Sequence, residues 1–105
     1  MISKFKFLTI LFISLNAITW AAPEIILERP NKENMTVYES RVIFKGKVNN
    51  ALSLTINGLA IPLTLNGTFE YSMQLNSKNG NNYFLIEASD GTNNVQLNRT
   101  IFYSE

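Results

Sequence analysis

From residue 24 onward the chain alternates hydrophobic with polar residues in short runs that repeat every two positions. Successive side chains of a β-strand point to opposite faces of the sheet, so this period predicts strands with one buried face. The clearest runs cover residues 41–48, 52–57, 68–75, 82–88 and 95–103. An apolar run at 25–27 that ends before Pro30 predicts a first strand at a sheet edge, which a short piece at 36–38 continues.

Turn signals separate these runs, because four of the five glycines directly follow Asn or Asp. The pairs are Asn57-Gly58, Asn66-Gly67, Asn79-Gly80 and Asp90-Gly91. Both residues of such a pair tolerate positive φ, which suits the tight turns that join antiparallel strands. The chain is therefore predicted to be an all-β meander that forms a sandwich or a small barrel.

Two residues and one segment disturb the regular pattern. Gly46 falls on the buried face of the run 41–48, which predicts a β-bulge or the close approach of another segment. Arg99 shares a face with the apolar residues of the last run and should point inward unless a bulge shifts the register. The segment 59–65 contains Pro62, which cannot donate to a ladder, so this segment is expected at a sheet edge or in a loose connection.

The first 21 residues have the pattern of a secretory signal peptide. Lys4 and Lys6 precede an apolar stretch at residues 7–20, and Ala21 and Ala22 follow it. This stretch is shorter than the roughly 20 residues that span a bilayer, so an uncleaved anchor is the less favoured alternative. Cleavage after Ala21, or else after Ala22, predicts an exported, periplasmic or extracellular domain of residues 22–105 with no stable membrane span.

Composition excludes several classes of function. Removing the signal peptide takes away two of nine basic residues and leaves eight acidic ones, so the net charge changes from +1 to 7 − 8 = −1. That charge, with its scattered basic residues, gives no electrostatic footprint for nucleic acid. The chain has no cysteine, so disulfides cannot stabilise the exported domain and its core alone must do so.

A longer pattern connects the runs into one motif. It reads Gly46-x-Val48, Leu54-x-Ile56-Asn57-Gly58, Asn66-Gly67-x-Phe69, then Leu75 and Gly80-x-Asn82-x-Phe84-x-Ile86-x-Ala88-x-Asp90. This resembles the bacterial immunoglobulin-like domains related to domain B, the second domain of glucodextranase. The resemblance implies an immunoglobulin-like antiparallel β-sandwich of about seven strands, exported, without catalysis of its own, and usually one module of a larger protein.

The motif residues Gly80, Asn82, Phe84, Ile86, Ala88 and Asp90 are interpreted as a turn and core motif. Asn82 lies on the inward face of its run, so its amide is expected to bond the backbone of a neighbouring loop. Asp90 is expected to accept backbone N–H groups within its own turn. The loop 90–94 also offers oxygen ligands, but a single carboxylate falls short of what calcium needs, and the turn is favoured.

The residue inventory argues against an enzyme. With no histidine and no cysteine, the chain lacks the commonest general base and the thiol nucleophile. Glu70 and Glu87 are the only strand carboxylates that could be nominated as a pair for glycoside hydrolysis. Both fall on outward positions, where a solvated surface glutamate is the default. The sequence predicts neither catalysis nor a cofactor or metal.

A binding surface is the better expectation. Parity places Tyr83, Leu85 and Phe102 on one outward face, as an apolar patch or as scattered surface residues. The edge segment 59–65 is a second candidate, although Pro62 opposes pairing with another chain. The sequence favours a binding or adhesion module for a protein or glycan at the bacterial cell envelope. The alternatives are an accessory or inhibitor protein that docks on a secreted enzyme, and a carbohydrate-binding module.

Overall fold

The computed structural model describes residues 21–105, which contain eight β-strands and no helix. The strands are β1 (Glu24–Arg29), β2 (Asn34–Val37), β3 (Arg41–Asn49), β4 (Ser53–Ile56), β5 (Leu59–Ala60), β6 (Thr68–Gln74), β7 (Gly80–Ser89) and β8 (Asn94–Tyr103). Within this part of the chain, nothing resembles a long apolar helix of the kind that crosses a membrane. The predicted signal peptide, except Ala21, lies outside the described residues.

The strands form two sheets that pack as a sandwich. One sheet has three strands in the order β1-β3-β6, and the other has five in the order β2-β8-β7-β4-β5. Neighbouring strands are antiparallel, except that β2 runs parallel to β8. The alternating runs thus produce the all-β architecture that they predict, with β3 and β7 as the central strands of the two sheets.

The core lies between the inner faces of the two sheets. Its buried side chains are Val42, Phe44, Val48, Leu54, Ile56, Ile61, Phe69, Leu75, Phe84, Ile86, Ala88, Ile101 and Tyr103. The rings of Phe44 on β3 and Phe84 on β7 lie 5.0 Å apart at 60°, so the two central strands meet through an aromatic pair. With no disulfide, these apolar contacts are the main source of stability.

The strand count and the first strand differ from the sequence prediction. The piece predicted at 36–38 does not continue β1; it overlaps the end of β2, which belongs to the other sheet. The Thr100 amide donates to the Glu33 carbonyl, and the Ser104 amide donates to the Val37 carbonyl, so β2 pairs with β8. The sequence treated these two pieces as one strand, because their split depends on a contact with the far end of the chain. The count of about seven strands came from the family resemblance.

The connections also differ from a simple meander. Asn57-Gly58 joins β4 to β5 and Asp90-Gly91 lies between β7 and β8, so these two pairs close hairpins between neighbouring strands. Asn66-Gly67 and Asn79-Gly80 lie instead where the chain passes from one sheet to the other. The local geometry is nevertheless that of turns, since Asn57, Asn79, Gly58, Gly67 and Gly91 have positive φ. An Asn-Gly pair therefore identifies a turn but not the partner of the next strand.

Gly46 allows β1 to approach β3 closely, as its place in the sequence predicts. A Cβ atom built at Gly46 would collide with the carbonyl oxygen of Ile26 and lie 3.1 Å from the Phe69 ring. The register between β1 and β3 also shifts after Leu27, which is the irregularity expected beside a glycine on the inner face of a strand.

Arg99 points toward the interior without any bulge. The β7–β8 ladder runs unbroken from Gly80 opposite Tyr103 to Ser89 opposite Asn94, and this register puts Arg99 on the inward side. Its guanidinium reaches the rim of the sandwich, where Nε donates to the Pro30 carbonyl at 2.9 Å. A long side chain with a polar end can thus occupy an inward position at the edge of the core.

The segment 59–65, expected at a sheet edge or in a loose connection, is a short edge strand followed by a loop. Only Leu59–Ala60 pairs with β4, and this two-residue strand forms one edge of the five-stranded sheet. Ile61 then turns into the core, and its amide donates to the Leu54 carbonyl. Because β5 is so short, this edge offers little backbone to another chain.

Arg41 covers part of the open edge of β6. The Thr68 carbonyl accepts from the Thr64 amide outside the sheet, so alternate residues of β6, including Ser72, direct their backbone groups away from β3. The Arg41 guanidinium reaches across and donates to the Ser72 carbonyl at 3.0 Å, to Ser72 Oγ at 2.8 Å and to Gln74 Oε1 at 2.8 Å.

Candidate binding face

The motif residues and the predicted binding residues of β7 lie on opposite faces of the strand. Asn82, Phe84, Ile86 and Ala88 are buried against the core, as the alternation predicts. Tyr83 and Leu85 lie between them on the outer face, where they are 69% and 37% exposed. The sequence thus predicted correctly which side of this strand faces solvent.

Phe102 shares this outer face but is less accessible than predicted. It lies opposite Asn81 on β7 and beside Thr36 on β2, so it is a diagonal neighbour of Tyr83. Neighbouring strands on both sides leave its ring half-buried. The three predicted residues therefore share one face, with Tyr83 as the residue that projects furthest into solvent.

The outer face around Tyr83 is almost free of charge. Among the residues of the five strands β2, β4, β5, β7 and β8, only Glu87 and Arg99 are charged, and Arg99 points inward. The remaining outward side chains are mainly amides and hydroxyls, including Asn34, Thr36, Ser53, Thr55, Asn81, Gln96, Asn98 and Thr100. We call this surface the neutral face.

Asn57 fixes the part of β7 that presents Tyr83 and Leu85. The last register pair between β4 and β7 is Ile56 with Ile86, and beyond it the Asn57 amide still donates to the Leu85 carbonyl. The Asn57 side chain extends this pairing. Its Nδ2 donates to the Tyr83 carbonyl at 3.0 Å, and its Oδ1 accepts from the Leu85 amide at 2.8 Å. Sequence reasoning identified Asn57 only as a turn residue, because this contact depends on the pairing of β4 with β7.

A shallow hollow of about 230 Å³ lies beside Tyr83. It is lined by Asn57, Tyr83, Phe84, Leu85, Asn98, Arg99 and Thr100. Thr100 is directly opposite Tyr83 in the β7–β8 register, and Asn98 is directly opposite Leu85. Sequence reasoning missed Asn98 and Thr100, since their place beside Tyr83 follows from this register.

Asn82 stabilises a loop rather than forming a binding site. Its Oδ1 accepts from the Ser77 amide at 2.9 Å, and its Nδ2 donates to the carbonyls of Ser77 at 3.2 Å and Ile101 at 3.3 Å. These contacts confirm the prediction that the buried amide bonds the backbone of a neighbouring loop. They tie the β6–β7 connection to the ends of β7 and β8.

Asp90 organises the turn between β7 and β8. Its Oδ1 accepts from the amides of Thr92 at 2.8 Å and Asn93 at 2.6 Å, as predicted. The bond from Asn93, followed by the bond from Thr92, lowers the pKa of the Asp90 carboxyl below its usual value, because both favour the charged form. One oxygen of the single carboxylate in this loop is thus already used by the turn.

The two strand glutamates considered for catalysis do not form a pair. Glu70 lies opposite Lys45 on the outer face of the three-stranded sheet. Glu87 lies opposite Thr55 and Gln96 on the neutral face, on the other side of the sandwich. Two carboxyl groups that act on one glycosidic bond must flank it, and these two are separated by the core.

The outer face of the three-stranded sheet has a different character. Lys45 and Lys47 share it, as their spacing predicts, and Lys45 Nζ lies 3.6 Å from the Glu28 carboxylate. Both side chains of this ion pair are exposed, so the pair contributes little to stability. This surface is mainly charged and solvated, although Ile26 is also exposed on it, opposite Lys47.

Comparison with known proteins supports the architecture. No protein-family model matches the chain, and no curated protein matches it. The chain is similar in structure to a crystal structure of an engineered protein, with a TM-score of 0.59, 12% sequence identity and 83% of this chain covered. This chain spans 21% of the length of that protein. At such low identity the similarity is one of fold alone.

Proposed function

We propose that this chain is an exported, non-catalytic immunoglobulin-like module that binds a component of the bacterial cell envelope through the neutral face. The observation that carries the proposal is the exposed Tyr83 on a nearly uncharged sheet, where the Asn57 side chain bonds the backbone of Tyr83 and Leu85. A rigid aromatic side chain on a regular sheet is a typical anchor for recognition, because little conformational entropy is lost when it binds.

The strand order supports the immunoglobulin-like part of the proposal. The order β1-β3-β6 corresponds to A-B-E, and β8-β7-β4 corresponds to G-F-C, which is how constant-type immunoglobulin sheets are arranged. The chain also passes from one sheet to the other between β1 and β2. The described strands include no counterpart of strand D.

Export rests on the first 21 residues, whose charged start, apolar stretch and small residues are typical of a signal peptide. It is tested by expressing the full chain and measuring the mass of the product in periplasmic and secreted fractions. We expect a product that begins at Ala22. A full-length product retained with cytoplasmic proteins would contradict the proposed localisation.

The binding role is tested with the exported protein immobilised and exposed to envelope and secreted fractions of the source cell. A variant with Tyr83→Ala, Leu85→Ala and Phe102→Ala alters the neutral face, and a variant with Lys45→Ala and Lys47→Ala is the control on the opposite face. We expect the wild type and the control to retain a component that the first variant loses.

Because Phe102 is half-buried, the double variant Tyr83→Ser, Leu85→Ser is included, and the fold of every variant is checked by circular dichroism. Equal retention by all folded variants would contradict binding through the neutral face.

A further inference from the structure

We infer that the ligand of the neutral face is a neutral polysaccharide, one ring of which stacks on Tyr83 while its hydroxyls bond to Asn98 and Thr100. This inference rests on the proposed binding function and specifies the chemical class of the ligand. It follows from three properties of the neutral face, which are its charge, its shape and the side chains beside Tyr83.

The charge of the neutral face argues for an uncharged ligand. Glu87 is its one charged strand residue within the described chain, whereas Arg41, Lys45, Lys47, Glu28 and Glu70 belong to the three-stranded sheet. Arg99 also lines the hollow, but its guanidinium donates to the carbonyls of Pro30 and Asn98. An anionic polymer would therefore gain little from the neutral face and would meet the Glu87 carboxylate. A ligand recognised by charge would favour the opposite side of the sandwich.

The shape argues for a polymer rather than a small molecule. The hollow beside Tyr83 measures about 230 Å³ and is open, which is below the roughly 300 to 1,000 Å³ of pockets that enclose small ligands. The β7–β8 ladder continues on either side of the hollow without a break in register. An extended ligand can place one unit at the hollow and its neighbours along the outward side chains of the same strands.

The side chains at the hollow match the chemistry of a sugar ring. A sugar presents apolar C–H groups on its faces and hydroxyls at its rim, so it fits an aromatic ring surrounded by groups that both donate and accept. The Asn98 amide and the Thr100 hydroxyl have both capacities. They lie directly across from Leu85 and Tyr83 in the register, where cross-strand Cβ atoms are about 5 Å apart.

A protein partner is the less favoured occupant. A stable protein interface buries about 800 Å² on each partner around well-packed hydrophobic anchors. On the neutral face Leu85 is only 37% exposed and Phe102 is half-buried, so Tyr83 is the main projecting anchor. One aromatic ring surrounded by amides and hydroxyls is better suited to many weak contacts with the hydroxyl groups of a polysaccharide.

The test measures retention of the exported protein on insoluble cellulose, starch, curdlan and chitin, with alginate beads as the anionic comparison. We expect retention on at least one neutral polymer, unchanged by added salt because no ion pair contributes. Tyr83→Ala should weaken that retention about tenfold, whereas Tyr83→Phe should preserve it because the aromatic face remains. Asn98→Ala should weaken it less, and Lys45→Ala should leave it unchanged.

Three results would overturn the inference. The first is that no neutral polymer retains the protein, and the second is that only alginate retains it and added salt abolishes this retention. The third is that Tyr83→Ala leaves retention unchanged although the variant is folded. Capture of an envelope protein through Tyr83 without any polysaccharide binding would overturn the polysaccharide but leave the proposed function intact. If no component depends on the neutral face, the proposed function and this inference fail together.

Discussion

The central strands of the two sheets, β3 and β7, have similar inner faces but opposite outer faces. Inside, each contributes an aromatic ring, and Phe44 and Phe84 meet 5.0 Å apart. Outside, β3 presents Lys45 and Lys47, whereas β7 presents Tyr83 and Leu85. Successive side chains of a strand point to opposite faces of the sheet, so the residues on the inner face do not determine those on the outer face. Two strands that pack in the same way in the core can therefore present unrelated outer surfaces. The difference is the basis for proposing that recognition belongs to the sheet of β7 rather than to the sheet of β3.

The inner faces should respond alike to loss of their aromatic ring. We expect Phe84→Ala and Phe44→Ala each to lower the free energy of unfolding by about 3 to 5 kcal/mol, because both leave a cavity in the core. Chemical denaturation of the two variants and of the double variant measures the effects and their coupling. Sharply unequal losses would mean that one of the two central strands contributes little to the core.

Glycines on the two strands should respond differently to an added methyl group. Gly46→Ala on β3 should cost about 1 to 3 kcal/mol, because the new Cβ meets the Ile26 carbonyl of the neighbouring strand. Gly80→Ala at the start of β7 is the matched control, since its nearest atoms lie 3.5 Å or more from the added carbon. We expect that change to stay within about 0.5 kcal/mol in the same denaturation experiment. Equal costs would contradict the close approach of β1 to β3.

The buried side-chain amide of Asn82 on β7 should contribute to stability mainly through its hydrogen bonds. Asn82→Ala removes the partners of the Ser77 amide and carbonyl, so we expect a loss of about 1 to 3 kcal/mol in stability. Asn82→Asp sharpens the interpretation, because a carboxylate can accept from the Ser77 amide but cannot donate to the Ile101 carbonyl. If both variants match the wild type, the amide does not anchor the β6–β7 connection.

The outer faces should contribute least to stability. Tyr83→Ala and Lys45→Ala are each expected to change the free energy of unfolding by less than about 1 kcal/mol, since both side chains are exposed. Added salt should reduce the Lys45 effect, because it screens the ion pair with Glu28, and should leave the Tyr83 effect unchanged. A loss at Tyr83 as large as that at Phe84 would reverse the assignment of faces on β7.

Features that depend on local chemistry could be predicted from the sequence. The alternation around Phe84 gave the inner and outer faces of β7, and the position of Gly46 indicated a close approach before any partner was known. Asn82 was predictable for the same reason, since a buried amide must find backbone partners nearby.

Features that depend on pairing between distant segments could not be predicted. Thr36 lies beside Phe102 only because β2 joins the sheet of β8, and a short polar piece carries no sign of that partner. The hollow at Tyr83 likewise requires Thr100 opposite it in the β7–β8 register. Such long-range contacts are set by the packing of the whole sandwich rather than by residues near one another in the chain.

Arg41 affects how readily the protein aggregates at high concentration. An unpaired strand edge is a template on which a second molecule can add its own strand, and repeated addition leads to fibrils. The Ser72 carbonyl on the open edge of β6 is already occupied by the Arg41 guanidinium, which also brings a charge to that edge. We expect Arg41→Ala to scatter more light than the wild type as concentration rises, and equal scattering would contradict this role. One arginine in this fold thereby favours separate molecules over a polymer.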